Sequence, residues 1–209
     1  MWDQLRLSDP KSADSSGPGH LIIGLGNPGR EYRDNRHNIG FMLVDRLCLD
    51  YGIRISRLQS KALVGAATIE GFRLTLAKPQ TFMNLSGQSV VQLVRFYKLP
   101  LSNLLVCHDD LDLPFGTLRM RPGGGSGGQR GLASIIDQLG TQDFPRLRLG
   151  IGRPPGQMDA ADYVLQSFSK SDAEMLPPFL KSASEAVFEF MRSGIEKAMT
   201  RYNGSSLEG

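Results

Sequence analysis

The chain is poor in several features that define large classes of protein. It has only 2 cysteines in 209 residues, Cys48 and Cys107, and neither belongs to a CxxC spacing. We therefore expect buried free thiols in a reducing compartment, and neither a disulfide framework nor a zinc site. No apolar run approaches the roughly 20 residues of a membrane-spanning helix. Residues 1–19 also lack the continuous apolar core of a secretory signal. These features predict a cytoplasmic enzyme or binding protein.

An excess of charge of either sign is also absent. The formal net charge is +3, although the sequence pI is about 9.0, so charge alone indicates a solvated surface of mixed sign. Any interface with nucleic acid must then come from a local cluster of arginine and lysine. Hydrophobic residues make up 40% of the chain and charged residues 22%, which is typical of a globular protein.

Short apolar segments along the chain predict the strands of a sheet. Continuous apolar runs indicate buried strands, and alternation in 117–121 indicates an edge strand. The turn signal Glu70-Gly71 separates two of the segments, so we expect those two to form a hairpin. The predicted strands are, in chain order, 21–26, 63–69, 72–77, 104–107, 117–121 and 147–151.

Between these strands, apolar residues recur at the spacing of helices. The predicted helices are 39–51, 84–97, 131–139 and 173–201. Because strands alternate with helices, we expect an α/β fold in which residues 20–203 form a single domain. Its sheet is expected to be twisted, mixed and partly parallel, with helices flanking it. Residues 1–19 and 204–209 are predicted to be flexible tails.

The most informative stretch is 21–41, LIIGLGNPGREYRDNRHNIGF. A buried strand leads into the glycine-rich turn 24–29, a polar segment follows, and an apolar helix opens after His37. Strand ends that feed polar loops are common positions for chemistry in α/β proteins. The chain has 3 histidines, and His37 is favoured as a base by the company of Asn27, Asn84 and an acid-ended strand.

The same glycine turn also fits a dinucleotide-binding pattern through Gly24, Gly26 and Gly29. Such a loop opens directly into a helix, and an acid follows about 20 residues later at the end of a second strand. Here seven mostly charged residues follow Gly29, and the acids at that distance, Asp45 and Asp50, fall in or just after a helix. We therefore rank nucleotide binding well below a functional loop of another kind.

Ser126 lies in the glycine-rich loop 123–128 and fits the Gly-x-Ser-x-Gly pattern of a nucleophile elbow. No histidine follows it in the chain, yet a triad of His37, Asp109 and Ser126 is geometrically possible, because triads are defined by geometry. A serine esterase is therefore a minority hypothesis. The alternative is a flexible loop in which Ser126 has no catalytic role.

The segment 108–112, His-Asp-Asp-Leu-Asp, ends the predicted central strand. Clustered carboxylates beside a histidine are able to bind a divalent metal. Neighbouring residues of a strand point to opposite faces, however, so Asp109 and Asp110 are not expected to share one site. We favour one acid directed into a cleft, where it holds a histidine in one tautomer, and no metal.

Residues 78–87, KPQTFMNLSG, leave a strand and begin a helix. Asn84 at this junction fits a helix cap, which is a common role for asparagine. Phe82 and Met83 fit core positions. A role in binding is the alternative for Phe82 and Asn84.

Five blocks of the chain together resemble the bacterial-type peptidyl-tRNA hydrolases. They are, in order, GLGNPGREYRDNRHNIGF, KPQTFMNLSGQSV, HDDLDLPFG, GGGSGGQRGLASI and RLRLGIGRP. The resemblance covers about residues 20–200 and implies a single α/β domain. It also implies an enzyme that cuts the ester between a peptide and the 3′ end of tRNA, recycling tRNA from stalled translation. The implied partner is the acceptor end of peptidyl-tRNA, the implied state is a monomer, and no metal or other cofactor is implied.

The resemblance also implies roles for individual residues. It makes His37 the base that deprotonates the attacking water and Asp109 the acid that orients His37, so we expect these side chains within hydrogen-bond reach. Asn27 matches the residue that distinguishes blocked from free aminoacyl groups. The positions that match holders of the tRNA end and the peptide are Tyr32, Phe82 and Asn84.

One departure from the family pattern affects Arg130. The family commonly reads GGHNG where this chain reads GGQRG at 127–131. The asparagine of that pattern is credited with fixing the catalytic water or the substrate. Arginine cannot accept a hydrogen bond, so we expect Arg130 to bind a tRNA phosphate or the terminal ribose instead.

Arg119 and Arg121 flank the glycine-rich loop together with Arg130. We expect the three to form a basic footprint for the acceptor stem, because phosphate contacts accept many tRNAs without reading their sequence. The alternative is a solvated edge strand. For the whole chain, the alternative from another class is a non-catalytic RNA-binding relative of the family.

Overall fold

Eight strands form one sheet in the computed structural model, which describes residues 19–205. The strands are β1 (His20–Gly24), β2 (Arg57–Gln59), β3 (Ala62–Ile69), β4 (Phe72–Pro79), β5 (Leu104–Asp110), β6 (Thr117–Arg121), β7 (Arg146–Gly150) and β8 (Gly204–Ser205). Their order across the sheet is β2-β3-β4-β1-β5-β7-β6-β8. β1 runs parallel to β4 and β5, and β5 runs parallel to β7, whereas the outer pairs are antiparallel. The predicted partly parallel mixed sheet is confirmed.

Six α-helices accompany the sheet within residues 19–205. They are α1 (Ile39–Tyr51), α2 (Ser86–Tyr97), α3 (Arg130–Leu139), α4 (Ala160–Val164), α5 (Lys170–Ser193) and α6 (Ile195–Tyr202). The first three predicted helices are confirmed with small shifts of their ends. The fourth prediction, one helix over 173–201, is wrong, because Gly194 adopts a φ of 82° between α5 and α6 and redirects the chain.

The central strands are buried on both faces because their residues alternate between two apolar cores. In β1, Leu21 and Ile23 pack with residues of α2 and α3, whereas Ile22 packs with residues of α1, α5 and α6. All three are fully buried. Burial on both sides explains why β1 and β5 are continuous apolar runs in the sequence.

A close approach between β1 and α1 positions the polar loop that joins them. A Cβ added at Gly40 would lie 2.5 Å from the carbonyl oxygen of Cys107 and from the backbone nitrogen of Leu25. A Cβ added at Gly24 would collide with the carbonyl oxygen of Gly40. The first turn of α1 therefore packs directly on strand backbone, as only glycine permits. His37, just before Gly40, is held at the carboxyl-terminal edge of the sheet.

The structure tests several predicted boundaries. The hairpin at Glu70-Gly71 is confirmed, since Ile69 pairs with Phe72 across it. The segment 117–121 is not an edge strand, because β8 pairs with its outer side. Gly204–Ser205 were assigned to the flexible C-terminus but form that strand. The rest of the predicted tails, 1–18 and 206–209, lies outside the described residues. Among the helices that the structure describes, none combines the length and the apolar character needed to cross a membrane.

Candidate active site

The carboxyl ends of the parallel strands border a cleft of about 620 Å³. The loop after β1 contributes Asn27 and His37, the segment after β4 contributes Phe82, and β5 contributes Asp109. The loop before α3 contributes Gln129. Parallel strands end at the same edge of a sheet, so residues far apart in the sequence meet there.

His37 and Asp109 form a hydrogen bond at the bottom of this cleft. His37 Nδ1 lies 2.7 Å from Asp109 Oδ2, and the two side chains are 12% and 4% exposed. An ionised carboxylate only accepts, so Nδ1–H donates and Nε2 carries the lone pair of the neutral ring. The distance lies within the reach expected from the sequence. The geometry leaves one imidazole nitrogen able to take a proton from a water in the cleft.

Asp109 is held through both of its carboxylate oxygens. Gln129 Nε2 donates to Oδ1 at 3.1 Å, while His37 occupies Oδ2. Burial alone would raise the pKa of Asp109, but the charge and hydrogen bond of His37 and the amide of Gln129 outweigh burial and lower it. Asp109 is therefore ionised at neutral pH and can stabilise the imidazolium that forms when His37 takes a proton.

Asn38 holds Asn27 in place, and the sequence reasoning missed this role. The Asn38 side chain accepts from Asn27 N and donates to Asn27 O, each at 2.9 Å. Asn27 Oδ1 accepts from Met83 N at 2.8 Å, which ties the loop after β1 to the segment after β4. Nδ2 is then the end of Asn27 that is left to donate to a ligand. The sequence feature that could have indicated this role is the position of Asn38 directly after His37.

Arg36 anchors the turn that carries His37 from the other side. Its guanidinium donates to Gln166 O at 3.3 Å and to Ser167 O at 2.6 Å, and lies 4.2 Å from the centre of the Tyr163 ring. Arg36 is only 6% exposed, and charge-assisted hydrogen bonds are strong in such surroundings. The His37 turn is thereby connected to the segment between α4 and α5, a contact that no pattern in the sequence predicts.

Three of the predicted binding residues lie around the opening of the cleft. Phe82 is 57% exposed, and Asn84 and Arg130 are exposed as well. All three line the cleft, and Asn84 and Arg130 also border a second hollow of about 410 Å³ beside it. Asn84 is not the cap of α2, because it lies within a 3₁₀ turn and Leu85 precedes the helix. Its side chain is therefore open to a ligand.

Tyr32 lies apart from these residues. It ends a 3₁₀ turn, Arg30–Tyr32, and is half-buried. Tyr32 is not among the residues that line the cleft in the described part of the chain. A contact between Tyr32 and a substrate therefore requires the substrate to extend beyond the cleft.

A basic surface, formed by Arg119 and Arg121, lies on one face of β6 beside two arginines of β7. Arg119 pairs with Arg148 and Arg121 pairs with Arg146, so these four side chains share one face of the sheet. Like charges opposite one another in a sheet repel. Arg148 is paired with Asp110. Among the ion pairs of residues 19–205, none joins Arg119 or Arg121 to a carboxylate. Both arginines are therefore available to an external anion.

Arg146 attaches the glycine-rich loop to the sheet. It is 2% exposed, and its guanidinium donates to Gly124 O at 2.6 Å, to Gly125 O at 3.0 Å and to Gln142 O at 2.8 Å. It also lies 4.5 Å from the centre of the Phe144 ring. The first part of the loop is therefore bonded to a buried cation.

The carboxylates that follow β5 have separate partners. Asp110 pairs with Arg148 and Asp112 with Arg153, whereas Asp109 points to the other face, as strand alternation predicts. Between residues 19 and 205, no group of three or more His, Cys, Asp or Glu side chains is arranged to hold a metal ion. The metal hypothesis for this segment therefore has no supporting geometry in that range.

Ser126 lines the same cleft but is not in a nucleophile elbow. An elbow places the serine in a sharp turn between a strand and a helix. Here β6 ends at Arg121 and α3 begins only at Arg130. The hydrogen bonds found over residues 19–205 include none between Ser126 and His37. The serine-esterase hypothesis is therefore not favoured.

The glycine turn 24–29 does not form a nucleotide site either. It is followed by two 3₁₀ turns, and α1 begins only at Ile39. The amino-terminal end of α1 thus lies beyond the polar loop, not at the turn where a pyrophosphate would bind in a dinucleotide-binding fold.

The fold and the cleft are those of an α/β enzyme with a buried histidine–carboxylate pair at the carboxyl edge of its sheet. A family model described as peptidyl-tRNA hydrolase matches residues 21–208. The chain belongs to the peptidyl-tRNA hydrolase family, which confirms the resemblance in the sequence.

Individual relatives agree with this assignment. The chloroplastic peptidyl-tRNA hydrolase of Arabidopsis thaliana is 51% identical over 204 residues, which cover 97% of this chain and 70% of that protein. A peptidyl-tRNA hydrolase of Carboxydothermus hydrogenoformans is 52% identical over 183 residues, 88% of this chain and 97% of that one. The crystal structure of peptidyl-tRNA hydrolase from Acinetobacter baumannii matches with a TM-score of 0.84 at 35% identity, covering 93% of this chain and 99% of that chain. These relatives are hydrolases, so a non-catalytic RNA-binding protein is not favoured.

Proposed function

We propose that the protein hydrolyses the ester between a peptide and the 3′ end of tRNA, with His37 as general base and Asp109 as the group that orients it. This activity recycles tRNA from stalled translation. Family membership supports the reaction. The mechanism depends on one observation, the 2.7 Å hydrogen bond between His37 Nδ1 and Asp109 Oδ2.

In the proposed reaction, His37 Nε2 takes a proton from a water as the water oxygen attacks the ester carbonyl carbon. Asp109 stabilises the resulting imidazolium. The carbon–oxygen bond to the ribose then breaks, and the imidazolium returns its proton to the leaving ribose oxygen. The products are a peptide whose new carboxyl group releases its proton to solvent and a tRNA with a free 3′-terminal hydroxyl. An ester is reactive enough for a positioned water, a base and amide donors to suffice.

We assign the remaining residues to substrate binding. Asn27 Nδ2 donates to a carbonyl of the blocked aminoacyl group, which a free amine would not present. Phe82 packs against the peptide or the terminal base, and Asn84 hydrogen-bonds to the peptide backbone. Tyr32 contacts the tRNA end where it leaves the cleft. The exposure of Phe82 and Asn84 at the opening supports these roles.

Arg130 and the basic surface are assigned to the RNA. Arg130 binds a phosphate or the terminal ribose near the cleft, and Arg119 and Arg121 bind phosphates of the acceptor stem. The exposure of Arg130 beside the cleft supports its role. Two observations support the roles of Arg119 and Arg121. They share one face of β6, and neither has a carboxylate partner within residues 19–205.

The test of the catalytic proposal is the turnover of an N-blocked aminoacyl-tRNA by a His37→Ala variant. We expect kcat to fall by about 10²–10⁴-fold, the usual contribution of a general base, while circular dichroism shows an intact fold. A Ser126→Ala variant serves as the control and is expected to keep its activity. Full activity of His37→Ala, or loss of activity in Ser126→Ala, would overturn the mechanism.

The RNA-binding assignment has its own test. Arg130→Asn should weaken tRNA binding and flatten its dependence on salt concentration, because one phosphate contact is lost. A double variant, Arg119→Glu/Arg121→Glu, should raise KM. Binding that is unchanged across a salt titration, or an unaltered KM, would count against the respective assignment.

The partner in this proposal is the acceptor end of peptidyl-tRNA, and the protein acts as a monomer. The predicted cytoplasmic location and the monomeric state remain predictions, and the Arabidopsis relative is a chloroplastic protein. Sedimentation of the purified protein and fractionation of cells test these two points.

A further inference from the structure

Gln129 makes three contacts that join separate parts of the site. Its Nε2 donates to Asp109 Oδ1 at 3.1 Å and lies 3.2 Å from Met83 Sδ. Its Oε1 accepts from Leu132 N at 2.7 Å, which makes Gln129 the cap of α3. The half-buried amide thus connects the carboxylate partner of His37, the segment after β4 and the first turn of α3.

The amide can lie in only one orientation. Leu132 N is a donor and needs the oxygen, whereas the ionised Asp109 is an acceptor and needs the nitrogen. If the amide were turned over, Nε2 would face the donor Leu132 N and Oε1 would face the acceptor Asp109 Oδ1. The helix cap therefore fixes which end of Gln129 faces the carboxylate.

Gln129 has little capacity left for a ligand, although it lines the cleft. One hydrogen of its Nε2 is directed to Asp109 and the other to the weakly accepting sulfur of Met83. Without Gln129, Asp109 Oδ1 would be a buried acceptor with no partner, and its carboxylate plane would be free to turn away from His37. These contacts favour a role that acts through Asp109 over direct contact with a substrate.

We propose that Gln129 is a positioning residue for the His37–Asp109 pair. It holds the carboxylate plane so that Oδ2 stays on His37 Nδ1, and it does so with a donor that does not titrate. The proposal rests on the proposed function of His37 and Asp109. The competing role is structural, since Gln129 could serve only to begin α3.

A Gln129→Glu variant separates these two roles. Glutamate keeps an oxygen for Leu132 N, and a negative charge at the start of a helix is favourable. The donor to Asp109 is lost, and a second carboxylate lies against the first. The structural role is therefore preserved in this variant while the positioning role is removed.

Other charged groups around the His37–Asp109 pair also influence the pH dependence of kcat/KM. His108 and Asp110 lie on β5, Asp112 follows it, Arg130 lies on α3 and Asp159 precedes α4. Arg146, on β7, faces His108. All of them are unchanged in Gln129→Glu, so a shift of the profile between the two proteins reports the added carboxylate.

The experiment measures kcat, KM and the pH dependence of kcat/KM with N-blocked aminoacyl-tRNA, together with the melting temperature. For Gln129→Glu we expect kcat to fall by about tenfold or more, part of the contribution of a general base, with KM near that of the parent protein and a melting temperature lowered only by the repulsion between the two carboxylates. The acid limb of kcat/KM should move up by about one pH unit, because a nearby negative charge favours the imidazolium. Gln92→Glu, an exposed change of the same charge on α2, is the control.

Two further variants keep the proposal testable if Gln129→Glu folds poorly. Gln129→Met removes the donor and the cap without adding charge, and should lower kcat without moving the acid limb. Gln129→His restores one donor and one acceptor, and should recover most of the lost kcat. If kcat in these variants merely follows their melting temperatures, or if Gln129→Glu matches the parent protein, the positioning role is wrong.

A titration of His37 followed by NMR distinguishes failure of this inference from failure of the proposed function. If His37→Ala keeps full turnover, the catalytic proposal fails. If turnover requires His37 but neither kcat nor the His37 titration responds to Gln129→Glu, only the positioning role fails. We expect the titration to move to higher pH in Gln129→Glu even in samples without substrate.

Discussion

The floor and the rim of the cleft are built in different ways. The floor consists of side chains that are each hydrogen-bonded to another part of the protein: Asn27, His37, Asn38, Asp109 and Gln129. The rim consists of exposed side chains that line the opening: Phe82, Asn84 and Arg130. Across residues 19–205, no hydrogen bond or ion pair involves the side chain of Asn84 or Arg130. One part of the cleft is held rigidly and the other is left open.

This difference matches two requirements of the proposed reaction. Chemistry needs groups that are already aligned before the substrate arrives, because reorganisation during the reaction costs rate. Binding must accept many peptides and many tRNAs, which side chains without internal partners can do by adjusting. Changes in the floor should therefore lower kcat, and changes in the rim should raise KM.

The largest expected effect is that of Asp109→Asn. The amide cannot stabilise a charged imidazole as a carboxylate does, and it can favour the wrong tautomer, so kcat should fall by about 10²–10⁴-fold. KM should change little. Single-turnover kinetics with N-blocked aminoacyl-tRNA measure the effect, and Asp50→Asn, an exposed change on α1, is the control. A kcat within twofold of the parent would show that the floor is not the catalytic part.

The next effect is structural and reaches the floor through α1. In Gly40→Ala the new methyl group would meet Cys107 O and Leu25 N at 2.5 Å, so α1 must shift away from the sheet together with the His37 turn. We expect a loss of about 1–3 kcal/mol of unfolding free energy, typical of overpacking, and a lower kcat. Urea unfolding and turnover measure the two.

Gly204→Ala is the matched control for that variant, since an added Cβ there has nothing within 4 Å. It should leave both unfolding and turnover unchanged. Equal behaviour of the two alanine variants would show that the contact between β1 and α1 does not position the site.

A smaller effect is expected at the rim. Phe82→Ala should raise KM by about three- to tenfold, the worth of roughly 1 kcal/mol of lost contact, and leave kcat within about twofold. Phe96→Ala removes a similarly exposed ring, 64% exposed at the end of α2, and should change neither constant. A fall in kcat for Phe82→Ala would show that the rim also takes part in the chemical step and does not differ from the floor in this respect.

The smallest effect concerns the acid stability of the floor. The pKa of Asp109 lies below its usual value in the folded protein, so its ionised form stabilises the fold above the unfolded pKa of about 3.9. That contribution is lost as the pH falls through the folded pKa. The difference in unfolding free energy between the parent and Asp109→Asn should therefore shrink from pH 5 to pH 3. A constant difference in urea unfolding across this range would contradict the assignment.

Most of the fold was predictable because its main strands carry unambiguous patterns. β1 and β5 are continuous apolar runs, since both of their faces are buried, and Glu70-Gly71 marks the hairpin. The break at Gly194 was missed because the apolar spacing continues across it from α5 to α6. β8 was missed because its two residues, Gly204 and Ser205, are too few to carry a pattern. It is fixed by pairing with β6, and the neighbouring Asn203 side chain accepts from Met120 N at 2.6 Å.

The candidate site was predictable where residue type was informative. A chain with 3 histidines offers few bases, and an acid at the end of a buried strand offers a natural partner for His37. Asn38, Gln129 and Arg36 were missed because their partners depend on the folded chain. Asn38 bonds to the backbone of Asn27, and Arg36 bonds to carbonyls that any residue would supply.

The contacts of Arg36 determine how much of the chain must be made before the active site can form. Its acceptors, Gln166 O and Ser167 O, lie 130 and 131 positions further along. A nascent chain does not contain both acceptors until Ser167 has been added. Because a domain generally folds as a unit during synthesis, the turn that carries His37 gains this support only after Ser167 has been added. An enzyme that would act on the products of interrupted translation is thus itself incomplete if its own translation stops early.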